Sequence, residues 1–103
     1  MKIITICGSL KYKEEMLKVA LNMELKGNCV ITPIFPSENS PAFTDEEIKV
    51  FNDMHKEKIK LSDAILVVNV NGYIGKTTES EIQYAKALNK EILYLERLEN
   101  KWK

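Results

Sequence analysis

The hydrophobic positions of this chain follow two rhythms, and the clearest change from one to the other lies between Ser62 and Leu95. Ala64–Val70 is an almost unbroken aliphatic and β-branched run, the pattern of a strand covered on both faces in a parallel sheet. Asn71-Gly72-Tyr73-Ile74-Gly75 supplies turn residues. Thr78-Glu79-Ser80-Glu81 has the Thr-x-x-Glu spacing of a capping box, which predicts a helix starting there. Ile82, Ala85 and Leu88, flanked by Tyr84 and Ala87, keep helical spacing up to Asn89-Lys90, and Ile92–Leu95 returns to strand-like character. The whole stretch reads as one βαβ unit.

The rest of the chain repeats the alternation. Ile3–Cys7 predicts a first strand, ended by Gly8-Ser9. A helix follows to about Lys26, with Met16, Leu17, Ala20, Met23 and Leu25 among its apolar positions and Gly27 as its stop. Cys29–Thr32 predicts a second strand, cut off by Pro33 and Pro36, and the loop over Ser37–Phe43 carries Pro41. Thr44-Asp45-Glu46-Glu47 is a second capping box and opens a helix to about Leu61. A polar tail, Glu96–Lys103, carries the only tryptophan. Four strands alternating with three helices predict a small doubly wound, flavodoxin- or Rossmann-like parallel sheet of order 2-1-3-4, with helices on both faces and right-handed crossovers. The carboxyl ends of strands one and three then form the switch point where such sheets bind ligands. Gly8-Ser9 and Gly72–Thr78 face each other across it.

Length and charge narrow the function. A chain of 103 residues fits one domain. Acidic and basic side chains balance at 15 each, which gives no electrostatic case for a nucleic acid polymer or a membrane surface as partner. No apolar run is long enough to span a bilayer, and Met1-Lys2-Ile3 leads into a strand rather than a signal peptide. Cys7 and Cys29 sit in apolar strand-like runs and read as reduced core thiols of a cytoplasmic protein. Four strands leave open edges and a thin core, so a homodimer or higher homo-oligomer is expected.

Several motifs are excluded by spacing. Gly75-Lys76-Thr77 resembles the end of a phosphate-binding P-loop, but position 70, where the first glycine belongs, is Val70. Cys7-Gly8-Ser9 at a strand end suggests a thiol phosphatase, whose loop needs an arginine where Lys13 stands. There is no G-x-G-x-x-G fingerprint. The single histidine has no Cys, Asp or Glu neighbours at ligand spacing, so no metal site and no cofactor are expected.

What remains is chemistry at the switch point. The helix starts after Gly8-Ser9 and at Thr77-Thr78 offer free N–H groups to an anion, with hydroxyls from Ser9, Thr77 and Thr78 and charge from Lys11, Lys13 or Lys76. Ordinary capping explains the same residues equally well. Glu81 has two readings: the reciprocal half of the Thr78 capping box, or a carboxylate placed for nucleophilic or acid–base work. Ile48, Phe51, His55 and Ile59 share a helical stripe, so His55 is either a core histidine with satisfied nitrogens or a proton donor reaching the cleft. Tyr12 and Tyr73 lie near the cleft, as half-exposed loop aromatics or as stacking platforms for a base.

Three blocks give the chain a family resemblance. Ile6-Cys7-Gly8-Ser9-Leu10, Ser62-Asp63-Ala64 with Ile65–Val68, and Thr78-x-x-Glu81-Ile82-x-Tyr84-Ala85-x-Ala87-Leu88-x-Lys90 resemble, in order, the first strand and glycine turn, the "AD" strand and the third helix of the nucleoside 2-deoxyribosyltransferase superfamily, including its deoxynucleoside 5′-monophosphate N-glycosidase branch. The resemblance implies that Glu81 is a nucleophile attacking C1′ of a nucleoside or nucleotide, with water or a second base as acceptor. It also implies that Gly8 and Ser9, with Thr77 and Thr78, hold the sugar or a 5′-phosphate; Tyr12, Gly72, Tyr73 and Gly75, placed around the same cleft by the loop pattern, complete the expected substrate-binding residues. The chain departs from the family at three points. His55 stands where members commonly carry an aspartate, and Gly75 stands where the glycosidase branch has a serine. Members are also usually longer, with a C-terminal extension that completes the neighbouring subunit's site, whereas this sequence stops at Lys103. These departures motivate a second expectation, a non-catalytic nucleotide-binding module on the same scaffold.

Overall fold

A computed structural model of the protein describes residues 1–96; the polar tail beyond Glu96, with Trp102, lies outside them. Four strands, β1 (Ile3–Cys7), β2 (Cys29–Ile31), β3 (Ala64–Val67) and β4 (Glu91–Tyr94), alternate with three helices, α1 (Lys13–Leu25), α2 (Asp45–Leu61) and α3 (Lys76–Ala87). The strands form one sheet of order β2-β1-β3-β4, with every neighbouring pair parallel. That is the order and strand direction expected from the sequence.

Side-chain alternation along β3 divides the core. Ala64, Leu66 and Val68 join Ile4, Ile6 and Met16 on the α1 side, while Ile65 and Val67 join Cys7, Ile59, Ile82 and Ala85 on the side of α2 and α3. Each fully buried Ile, Val or Met contributes about 1.5–3 kcal/mol of burial free energy, so the two central strands dominate the fold. Their register is fixed at the start. Asp63 Oδ2 accepts from the Ile3 amide at 2.8 Å, and the Asp63 amide donates to the Ile3 carbonyl at 2.8 Å. The register then pairs Cys7 with Val67, so both strands end at the same level.

Capping explains one helix as the sequence does. Thr44 and Glu47 form the reciprocal capping box of α2, at 2.9 and 3.1 Å. Elsewhere the expectations need correction. α1 starts at Lys13, after a 3-10 turn over Leu10–Tyr12 whose start is capped by the Ser9 hydroxyl. Leu17 and Leu25 of α1 are exposed rather than buried, and Cys29 is an exposed thiol because β2 is an edge strand. β3 is shorter than the apolar run suggests. Val70 begins a 3-10 turn in which Asn71 (φ 54°) and Gly72 (φ 79°) adopt left-handed backbone, so the chain leaves the sheet there. β2 and β4 end one residue earlier than expected, and β4 also begins one earlier. No helix among the described residues is long and apolar enough to cross a membrane.

Candidate functional site

The third helix departs most from its expected start. Gly75 is its N-cap, with no side-chain capping bond, and Lys76, Thr77 and Thr78 are its first three residues. The first intrahelical bond runs from the Glu79 amide to the Gly75 carbonyl at 2.9 Å. Thr78 and Glu81 therefore form no capping box. Glu81 lies in the second turn, on the face that packs against the sheet, and is 7% exposed. The amides of Lys76, Thr77 and Thr78 precede the helical ladder and are left as donors at the helix start.

A cavity of about 300 Å³ opens beyond the carboxyl ends of β1 and β3, where the topology places a ligand. Gly8 and Ser9 form one wall and Tyr73, Gly75, Lys76, Thr77 and Thr78 another, as the sequence anticipated for most of them. Glu81 and His55 line it as well. Two expected residues do not: Gly72 is exposed in the left-handed turn, and Tyr12 sits outside with its ring 6.2 Å from that of Tyr73. Lys11 Nζ lies over both rings, 4.1 Å from the Tyr73 centroid and 5.3 Å from that of Tyr12, a cation–π arrangement. The remaining wall was not foreseen as part of the site. It contains Pro33, Ile34, Phe43 and Asn52, together with Ile48 and Phe51 from the helical stripe of His55. Phe43 and Phe51 meet edge-to-face at 4.7 Å. The prolines and aromatics after β2 carry no motif, so only the folded chain shows that they close the cavity.

A second correction concerns His55. It has partners after all. Cys7 Sγ lies 3.5 Å from His55 Nε2, and Glu81 Oε1 lies 4.0 Å from the same nitrogen. The ligand atoms of Cys7, His55 and Glu81 all fall within 4.8 Å of one another, and all three residues are buried. His55 Nδ1 is buried without a partner. An unpaired N–H costs more than an unpaired lone pair, which puts the neutral ring's proton on Nε2, facing the thiol and the carboxyl.

Burial sets the protonation of all three groups. It pushes the Glu81 carboxyl from 4.5 up to about 7, against the Cys7 thiol and the more distant Lys56 ammonium, which favour the anion. Burial, helped by the Lys58 charge, pulls the His55 imidazole from 6.5 down to about 4. The Cys7 thiol is held well above its ordinary range by burial and then by the neighbouring Glu81 charge. Among the described residues no lysine closes to ion-pair distance of Glu81. At neutral pH His55 is uncharged and Glu81 is divided between acid and carboxylate.

No family model and no curated protein matches the sequence. Solved structures do. The chain is similar to a 2-desoxiribosyltransferase from Leishmania mexicana, with a TM-score of 0.64 and 20% identity, over 91% of this chain and 63% of that one. It is similar to a conserved protein from Enterococcus faecalis V583, with a TM-score of 0.63 and 17% identity, over 91% of this chain and 62% of that one. The fold is thus nucleoside 2-deoxyribosyltransferase-like. The chain spans just under two thirds of the length of either structure.

Proposed function

We propose that the protein cleaves the base–sugar bond of a nucleoside or nucleotide, as an N-glycosidase or deoxyribosyltransferase, with Glu81 as nucleophile. One observation carries the reading. Glu81 is a buried carboxylate with no capping role and, among the described residues, no lysine partner, facing the cavity at the switch point of a deoxyribosyltransferase-like fold. Burying a carboxyl with only a thiol and a neutral imidazole beside it costs stability, and a structural role for it is missing once the capping box is removed.

In the proposed reaction a Glu81 oxygen bonds to C1′ as the C1′–N bond breaks, and the electron pair leaves with the base. Water, or a second base, then displaces the sugar from Glu81, as in retaining glycosidases. Only the ionised form attacks, so the value near 7 makes the reaction rise with pH across neutrality. His55, neutral above about 4, serves through its Nε2–H as a hydrogen-bond donor that orients Glu81 or touches the sugar, rather than as a strong acid. Ser9, Thr77, Thr78 and the first amides of α3 hold the sugar or a 5′-phosphate. Tyr73, Phe43 and Phe51 give the base apolar surface, and Tyr12 backs Tyr73. Outside this cavity a single domain, acting as a homo-oligomer and needing no cofactor, is part of the same proposal.

A second reading, a non-catalytic nucleotide-binding module, is favoured by one feature: at neutral pH part of the population holds Glu81 as a neutral acid, which donates a hydrogen bond instead of attacking. Base release separates the two. Purified protein is incubated with ribo- and deoxyribonucleosides and their 5′-monophosphates, and free base is followed by chromatography. Release that vanishes in Glu81→Gln while ligand-dependent thermal stabilisation persists supports the enzyme. Stabilisation without release from the wild type supports the module.

A further inference from the structure

We propose that Cys7 Sγ, His55 Nε2 and Glu81 Oε1 form a three-ligand site for a borderline-soft divalent cation, Zn²⁺ being the best match, with a fourth position open to the cavity. The donors come from three separate elements, the end of β1, the middle of α2 and the second turn of α3, so the packed core holds the triangle in place. One sulfur, one imidazole nitrogen and one carboxylate oxygen are a donor set of the kind zinc takes, and three protein ligands with one free position is its open arrangement.

The distances fit. Tetrahedral Zn²⁺ with ordinary bond lengths separates sulfur from nitrogen by about 3.5 Å and nitrogen from oxygen by about 3.4 Å. Here the first is 3.5 Å and the second 4.0 Å, with all three atoms within 4.8 Å. Closing the triangle asks Glu81 Oε1 to move towards His55 Nε2 by about 0.6 Å and towards Cys7 Sγ by up to about 1.3 Å, a change of side-chain rotamer on Glu81. Cys7 lies beneath the cavity, while His55 and Glu81 line it, which leaves the open side facing the solvent-accessible space.

Charge also balances. Thiolate, carboxylate and a doubly charged cation sum to zero, so the loaded cluster is a neutral object in a buried place. Loading releases the thiol proton and, where Glu81 holds one, the carboxyl proton; the imidazole enters neutral with its proton moved to Nδ1. That leaves one N–H unpaired, a small cost beside three coordinate bonds. The metal then occupies the oxygen that would attack a sugar, so loading and base release exclude each other. The site itself stands whether or not the protein is a glycosidase.

The test uses the full chain, stripped with a chelator and titrated with Co²⁺ as a spectroscopic stand-in for Zn²⁺. The expected result is one equivalent bound, with the d–d bands of four-coordinate cobalt and a thiolate-to-cobalt band in the near ultraviolet, all removed by adding Zn²⁺. Cys7→Ser is expected to lose the thiolate band and weaken binding at least about tenfold, since even the loss of a residue behind a ligand costs 10–100-fold. Cys29→Ser, which removes the other thiol of the chain, is expected to change neither. A six-coordinate spectrum without a thiolate band overturns the proposal, as does a band that follows Cys29 instead of Cys7. Should Cys7→Ser fail to fold, X-ray absorption of the zinc-loaded wild type decides: one sulfur among nitrogen and oxygen neighbours supports the site, and a shell without sulfur rejects it. Base release measured with chelator and with Zn²⁺ is read separately, so its absence under both conditions sinks the glycosidase reading and leaves the metal result intact.

Discussion

Replacing Glu81 with glutamine should make the protein more stable at alkaline pH and leave it nearly unchanged in acid. The carboxyl titrates at 4.5 in its ordinary state and at about 7 in the fold. Between those values the native protein holds a proton that the unfolded chain has lost, so stability falls as pH rises through this window. Below about 4.5 both states are protonated and nothing is lost. Above about 7 the whole cost is present; at about 1.4 kcal/mol per pH unit it amounts to about 3 kcal/mol. Glutamine removes the charge but still buries an amide, so the expected gain at pH 8 is about 1–3 kcal/mol, shrinking towards zero near pH 4.5.

Wild-type protein alone conceals this dependence. His55 works in the opposite sense, because its fall from 6.5 to about 4 means that the native state lacks a proton the unfolded chain holds. Its contribution is fully unfavourable below about 4 and is relieved as pH rises to 6.5. Near pH 5.5 folding therefore moves one proton's worth of charge from histidine to glutamate without net uptake, and the two slopes cancel. Glu81→Gln exposes the rising slope of His55, and His55→Asn exposes the falling slope of Glu81. Urea denaturation of the three proteins at pH 5 and pH 8, in chelator, reads both effects. A Glu81→Gln protein that is less stable than the wild type at pH 8 would refute the reasoning, because it would mean that the carboxylate is held favourably in its buried place.

Two further outcomes follow from the same structure. A Cβ on Gly8 would stand 3.3 Å from Met16 Sδ and from the Val68 carbonyl oxygen, and 3.4 Å from Val68 Cβ; Gly8→Ala should cost about 1–3 kcal/mol through overpacking, and an unchanged denaturation midpoint would contradict the tight wall. Leu17, Leu21 and Leu25 recur every four residues on α1 and are 43%, 63% and 78% exposed, and β2 and β4 are open edges, so self-association is expected and a stable monomer in sedimentation equilibrium would rule it out.

The parts of the fold that depend on neighbouring residues were legible in the sequence. The apolar runs at Ile3–Cys7 and from Ala64 onwards gave strands, the Thr44-x-x-Glu47 box gave a helix start, and strict β–α alternation left few topologies besides the observed order. Errors arose where two local signals competed. Thr78-x-x-Glu81 matches the capping pattern as well as Thr44-x-x-Glu47 does, but Gly75, three residues earlier, already has the extended backbone of an N-cap. A helix takes whichever start the preceding loop geometry allows, and the turn over Val70–Gly72 delivers the chain to Gly75. Shifting the start changes the meaning of Glu81 entirely, from a surface cap to a buried carboxyl.

The cluster at the floor of the cavity shows a different limit. Cys7, His55 and Glu81 are separated by 48 and 26 positions, so no spacing rule for short-range ligand motifs could join them. What joins them is topology: β1 ends level with β3, α2 runs back beneath that end, and α3 starts from it, so one residue from each reaches the same point. Each position looked ordinary alone, as a strand cysteine, a stripe histidine and a capping glutamate. Placed together they hold at most one charge at neutral pH in a setting that disfavours any, and that shared frustration is the ground for proposing that the carboxylate meets an electrophilic carbon or a cation. A site made by three elements at a sheet's switch point is therefore readable from the order of the strands before it is readable from any motif.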